Sequence, residues 1–223
     1  MAAKHGATVT GLNINEKQIG IARQRAQERG LDRLTAFQFC DCSQHLPFPD
    51  ASVDVIINIE SACHYADRPR FIAECARVLR SGGRLVAQDW MAADGLSEAD
   101  RKRYIAPLEA ARFLHRLDNL SSYRGLLQGA GLRVTKAELI KDGIRPNGYI
   151  MRMGYRTVTE CGQRQTLTDY EIANRERFRT FSESLLGGSL KVGYYVAEKP
   201  RPSPRRVDAA GGMNGGGGAL GGT

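Results

Sequence analysis

The sequence predicts an α/β fold built on a doubly wound, mostly parallel sheet. Short apolar and β-branched runs recur at 7–12, 34–39, 53–59 and 84–88, separated by stretches with helical periodicity. Strand-helix-strand units joined in this way bring each strand back parallel to the last. The polar residues Asp41, Glu60, His64 and Asp89 all stand just beyond the ends of such runs, where an open α/β sheet carries its ligand crevice.

Each element follows from local chemistry. The run ATVTGL ends in Gly-Leu-Asn, the pattern of a buried strand opening into a turn. Asn15 stands as N-cap with Gln18 three residues on, a capping-box arrangement. Ile19, Ala22 and Ala26 share one helical face, and Gly30 supplies the left-handed stop. Residues 34–39 form a second strand, and VDVIINI at 53–59 has the near-continuous apolar character of a central parallel strand.

Asp67 caps the next helix, with Pro69 tolerated in its first turn. Phe71, Ile72, Cys75, Val78 and Leu79 make its buried stripe, and Ser81-Gly82-Gly83 leads into a strand at 84–88. Residues 93–120 read as a polar helical insertion, 121–130 as a further helix and 132–140 as a strand. Residues 142–167 have weak periodicity and receive no assignment. A helix over 170–186 and a strand over 190–198 follow, and 199–223 is a Pro- and Gly-rich tail too poor in apolar residues to order itself.

Composition narrows the function. The 223 residues suit one α/β domain, 1–198, that carries an insertion. No apolar run reaches eighteen residues, which argues against a membrane span. The N-terminus lacks the pattern of a secretory signal, and five cysteines without framework spacing fit reduced thiols, so a cytoplasmic location is expected. Residues 1–120 hold 16 Lys+Arg against 15 Asp+Glu, whereas 121–223 hold 16 against 9. That basic excess permits an anionic or nucleic-acid partner. With no RNA-binding motif and no interleaved aromatics, a solvated basic surface explains it better.

The motifs carry a family resemblance. DCSQHLPFPDASVD at 41–54, ESACH at 60–64 and ARVLRSGGRL at 76–85 resemble the core of a class I S-adenosylmethionine-dependent methyltransferase. The similar group includes sterol and tocopherol C-methyltransferases and natural-product methyltransferases. GLNINEKQ at 11–18 is similar to the second-strand turn of that group. The resemblance spans 7–140 and the strand at 190–198, and rests on the order and spacing of these motifs.

It implies a Rossmann-like methyltransferase fold with an antiparallel edge strand, S-adenosylmethionine as cofactor and a small-molecule acceptor. The target atom, carbon, oxygen or nitrogen, stays open, as does the oligomeric state. The family's glycine-rich turn D-x-G-x-G-x-G does not occur in the sequence. Its first recognisable strand corresponds to the family's second, so a domain lacking the first strand is expected. Neighbouring strands would then carry unpaired backbone groups, each costing about 1–3 kcal/mol where buried. A catalytically inactive methyltransferase-like partner subunit is the alternative.

By resemblance, Asn13, Ile14 and Gln18 belong to the ribose side of the cofactor and Asp41 and Cys42 to the adenine side. Asn13 as a turn residue is the competing reading, and a capping role explains Gln18 equally well. Glu60 and His64 fall where the methyl group is transferred. His64 suits proton abstraction, since histidine titrates near neutrality, and Glu60 suits orienting it or stabilising positive charge. The competing reading gives Glu60 to backbone amides and packs His64 under the next helix. Tyr65, Trp90 and Tyr104 are candidates for an aromatic acceptor wall or for ordinary core. Cys40, Cys42, Cys63 and His64 invite a soft metal site, but strand alternation sends Cys40 and Cys42 to opposite faces, so no metal is expected.

Overall fold

The computed structural model describes residues 1–110, 114–140 and 179–202. A short helix α1 (Ala2–His5) precedes β1 (Val9–Asn13), α2 (Glu16–Glu28), β2 (Thr35–Phe39) and β3 (Val53–Ile59). A 3-10 turn (Ala62–His64), α3 (Arg68–Val78) and the long β4 (Leu79–Ala92) follow. The insertion consists of α4 (Glu98–Asp100), a π-helical turn (Arg101–Ile105) and α5 (Ala106–Ala110). Then come α6 (Leu120–Gly129), β5 (Arg133–Leu139) and β6 (Leu190–Glu198), with residues 179–186 helical. Residues 142–167 and most of the tail lie outside the described residues, as does the first half of the helix expected at 170–186. Among the described residues no helix is long and apolar enough to cross a membrane.

Local chemistry explains the boundaries. Asn15 Oδ1 accepts from the Gln18 N–H at 3.1 Å, so Asn15 does cap α2. The reciprocal half of the capping box is absent, because the Gln18 amide oxygen accepts from Asn13 Nδ2 instead. Asp67 caps α3 through the Arg70 N–H at 2.9 Å, with proline in the first turn. Gly30 adopts a φ of 62° directly after α2, a conformation that carries little cost without a Cβ.

The strands form two sheets, β1-β2 and β3-β4-β6-β5. β1 pairs with β2 in parallel and β3 with β4 in parallel. β6 runs antiparallel to both β4 and β5, one place in from the sheet edge. Among the described strands, β1 has no second neighbour and β3 pairs only with β4. These are the open edges expected of a sheet without the family's first strand.

One face of the larger sheet is closed by α3 and α6. Phe71, Ile72, Cys75 and Val78 from α3 and Tyr123 and Leu127 from α6 meet Leu85, Ala87, Tyr195 and Ala197. A second cluster joins the end of β4 to the insertion through Trp90, Ile105, Leu108, Leu114, Leu190 and Val192. The other face stays open at β3, where Val55, Ile57 and Ile59 are 44%, 49% and 62% exposed. The sequence predicts a doubly covered strand there. Its alternate residues do face two sides, but no described element covers one of them.

Candidate active site

The ends of β1 and β2 lie side by side, with Asn13 paired to Phe39 and the Cys40 N–H donating to the Asn13 carbonyl at 2.9 Å. Asn13, Ile14 and Asp41 are thereby gathered on one rim. The Asn13 side chain is committed to the turn: Oδ1 accepts from the Asn15 N–H at 2.9 Å and Nδ2 donates to Gln18 at 2.8 Å. Ile14 is exposed. Asp41 Oδ1 accepts from the Ser43 N–H at 3.0 Å and its hydroxyl at 2.7 Å, and the residue stays at the surface.

An exposed carboxylate at the rim suits an exocyclic amine, and the Asn13–Gln18 pair can exchange its mutual bond for ribose hydroxyls. The residues present therefore fit the adenosine half of S-adenosylmethionine.

Cys42 is half-buried, and that burial pushes its thiol up to about 12, so it is a neutral wall and no nucleophile. The Cys40 thiol donates to the His45 carbonyl at 3.1 Å. β2 ends at Phe39, so strand alternation does not reach Cys40 and Cys42.

The second group of candidate residues stands at the ends of β3 and β4. Glu60 takes a φ of 50°, a left-handed conformation that a side chain rarely adopts. Its N–H donates to the Gln88 carbonyl at 2.8 Å, and its carboxylate accepts only a long 3.3 Å bond from the Gln88 amide. His64 ends the 3-10 turn and is exposed. It lines a cavity of about 560 Å³ together with Glu109, Ala110 and His115.

Glu109 and His115 are not among the residues that sequence reasoning finds. His115 is one of only four histidines in the chain, which is the one signal that could have singled it out. The three aromatic candidates separate. Trp90 is buried edge-on to Phe181, with ring centroids 4.9 Å apart, and belongs to the core. Tyr104 is half-buried in the π-helical turn, with the Arg103 guanidinium 5.1 Å from its ring centroid. Tyr65 packs edge-on to Phe71 while its hydroxyl meets the Ser61 hydroxyl at 2.8 Å.

Asp89 underlies the loop after β3. It is fully buried, which raises its pKa, and hydrogen bonds from Cys63 and the Trp90 N–H partly offset that rise. A buried carboxyl is kept only where donors surround it, and here Cys63 belongs to the turn that carries His64.

Comparison with known proteins fits this geometry. Residues 1–87 match the family described as "Methyltransferase domain". The chain is 35% identical over 206 residues to the 27-O-demethylrifamycin SV methyltransferase of Amycolatopsis mediterranei, covering 90% of this chain and 72% of that protein. It is 37% identical over 150 residues to methyltransferase GfsG of Streptomyces halstedii, where the match covers 66% of this chain and 52% of the relative. The chain thus spans about half the length of that second relative.

Among solved structures, a candidate sarcosine dimethylglycine methyltransferase from Galdieria sulphuraria superposes with a TM-score of 0.76 at 21% identity, over 89% of this chain and 72% of that one. The cyclase SpnF has a TM-score of 0.69 at 21% identity, over 89% and 68%, and shows that one fold serves more than one chemistry. Identity across most of the rifamycin relative decides the family: this chain belongs to the S-adenosylmethionine-dependent methyltransferases that act on small molecules.

Proposed function

We propose that the chain methylates a hydroxyl group of an apolar natural product, with His64 as general base. The cavity of about 560 Å³ that His64 shares with Glu109 and His115 carries this reading. Proton acceptors around the acceptor atom suit a nucleophile that must lose a proton, whereas a carbon or tertiary-amine nucleophile needs orientation alone. The rifamycin relative, whose name places its methyl on oxygen, supports the same choice.

In this reading Asp41 and Cys42 hold adenine, and Asn13, Ile14 and Gln18 line the ribose. When bound, the cofactor supplies a methyl group activated on a positively charged sulfur. His64 would accept the hydroxyl proton, leaving the acceptor oxygen free to take that methyl group. Glu60, held within reach of the β4 end, balances the positive charge that develops on the imidazole. The insertion over 93–120 covers the acceptor, with Tyr104 on its inner part.

Calorimetric titration with S-adenosylhomocysteine tests the cofactor assignment, and methyl transfer from labelled S-adenosylmethionine to hydroxylated polyketides tests the acceptor class. Micromolar binding with transfer to oxygen is expected. A cooperatively folded chain that binds no S-adenosylhomocysteine would instead favour a non-catalytic partner subunit.

A further inference from the structure

The two imidazoles of the acceptor cavity come from segments far apart in the chain, and one buried guanidinium ties those segments together. Arg68, in the first turn of α3, is 3% exposed. Its Nε donates to Asp118 Oδ2 at 2.6 Å, and its Nη1 donates to the His115 carbonyl at 2.9 Å. The same Nη1 reaches the Tyr65 carbonyl at 3.2 Å and the Ala62 carbonyl at 3.4 Å, while Nη2 donates to the Arg116 carbonyl. Two of these carbonyls bracket His64, and the remaining acceptors belong to residues 115–118.

Two further features mark the joint. The His115 N–H donates to the Cys63 carbonyl at 2.7 Å. Arg116 holds a φ of 27°, a strained conformation for a residue with a side chain.

We propose that Arg68 is a positioning residue of the acceptor cavity: its guanidinium sets the spacing of His64 and His115, and so the shape an acceptor meets. The functional consequence rests on the reading of His64 as the residue that faces the acceptor. The chemistry is particular to arginine. A planar guanidinium directs five N–H donors outward in a fixed fork, enough for one carboxylate and several carbonyls at once. A lysine ammonium keeps the charge but has three donors at a single point, so it can satisfy Asp118 without spanning both segments.

The four histidines of the chain provide the test. Imidazole C–H resonances are followed by NMR through a pH titration of the wild type and of Arg68→Lys. His64 and His115 are the reporters. His5, in α1, and His45, paired with Glu74 at 2.8 Å, are internal controls.

Displacement of both reporter resonances, with the controls unmoved, is expected. S-adenosylhomocysteine affinity should change by less than about threefold. Should Arg68→Lys fail to fold, Asp118→Asn removes one charged acceptor and leaves every guanidinium donor in place. It should displace His115 more than His64. Unmoved reporters would overturn the proposal, as would displacement of all four histidines together or a roughly tenfold loss of S-adenosylhomocysteine affinity on substitution. A wild type that binds no S-adenosylhomocysteine but shows the reporter response would refute the cofactor reading and leave the positioning role standing.

Discussion

His64 and Glu74 show two ways in which one side chain governs this protein. His64 is exposed and lines the cavity, and on the proposed role of general base His64→Ala should lower turnover by about 10²–10⁴. S-adenosylhomocysteine affinity should stay within about threefold, and equal turnover would remove His64 as the base. Glu74 is structural. It accepts from the Leu46 N–H at 2.9 Å and pairs with Arg77, which also reaches the Leu46 and Phe48 carbonyls and Asp50. The Leu46–Asp50 stretch that follows β2 is pinned to α3 by this pair.

Hydrogen bonds from Arg77 hold the Glu74 carboxyl down at about 2, against an ordinary value of 4.5. Since the folded value is the lower one, this stability is present above about pH 4.5 and is lost as pH falls toward 2. Partial exposure of Arg77 screens the pair, so Glu74→Gln should cost about 1–2 kcal/mol at about pH 7 and almost nothing near pH 2. Urea unfolding of both forms at the two pH values measures the difference. Asp67 and Asn15 are legible in the sequence because a cap is a local hydrogen bond. Arg68 is not, because an arginine is expected at the surface, and its acceptors are carbonyls brought in from another part of the chain.

At the level of elements, periodicity is a good guide wherever the chain's own period decides the outcome. The stripe from Phe71 to Leu79 is buried as its spacing predicts, and β3 and β6 keep their expected limits. Periodicity fails where a neighbour decides. Val55 and Ile57 are apolar because the strand suits a covered sheet, yet nothing in their spacing says whether a cover is present. The insertion is helical in pattern, but nothing in that pattern marks its π-helical turn, whose Ile105 packs into the second core cluster.

Glycines give these elements a paired test. Gly20 lies inside α2 with nothing within 4 Å of where a Cβ would stand, so Gly20→Ala should stabilise by about 0.5–1 kcal/mol. At Gly83 a Cβ would come 2.8 Å from the Arg80 carbonyl and 3.1 Å from that of Asp54. Gly83→Ala should therefore destabilise by about 1–3 kcal/mol. Thermal melts of the two variants should shift in opposite directions, and a neutral Gly83→Ala would show that the double-glycine turn yields.

For the whole molecule, β4 is the spine: it pairs with β3 and β6, carries Asp89, and ends in the second core. Among the described residues, helices close the α3–α6 side of this spine and none covers β3 on the other. Val55, Ile57, Ile59 and Val86 stand exposed on β3 and β4, beside a strand edge with no partner among the described strands. Parallel strands are ordinarily covered on both faces, and an uncovered apolar edge favours association with another chain. The 223-residue chain should therefore bind an apolar dye such as anilinonaphthalene sulfonate while cooperatively folded. Its sedimentation should depend on concentration in the micromolar range. The double substitution Val55→Thr, Ile57→Thr keeps β-branched side chains while removing apolar surface. It should weaken dye binding and association together, with a small effect on the melt because neither residue belongs to a buried cluster. Dye binding and association that survive this change would locate the exposed apolar surface elsewhere and leave β3 covered in solution.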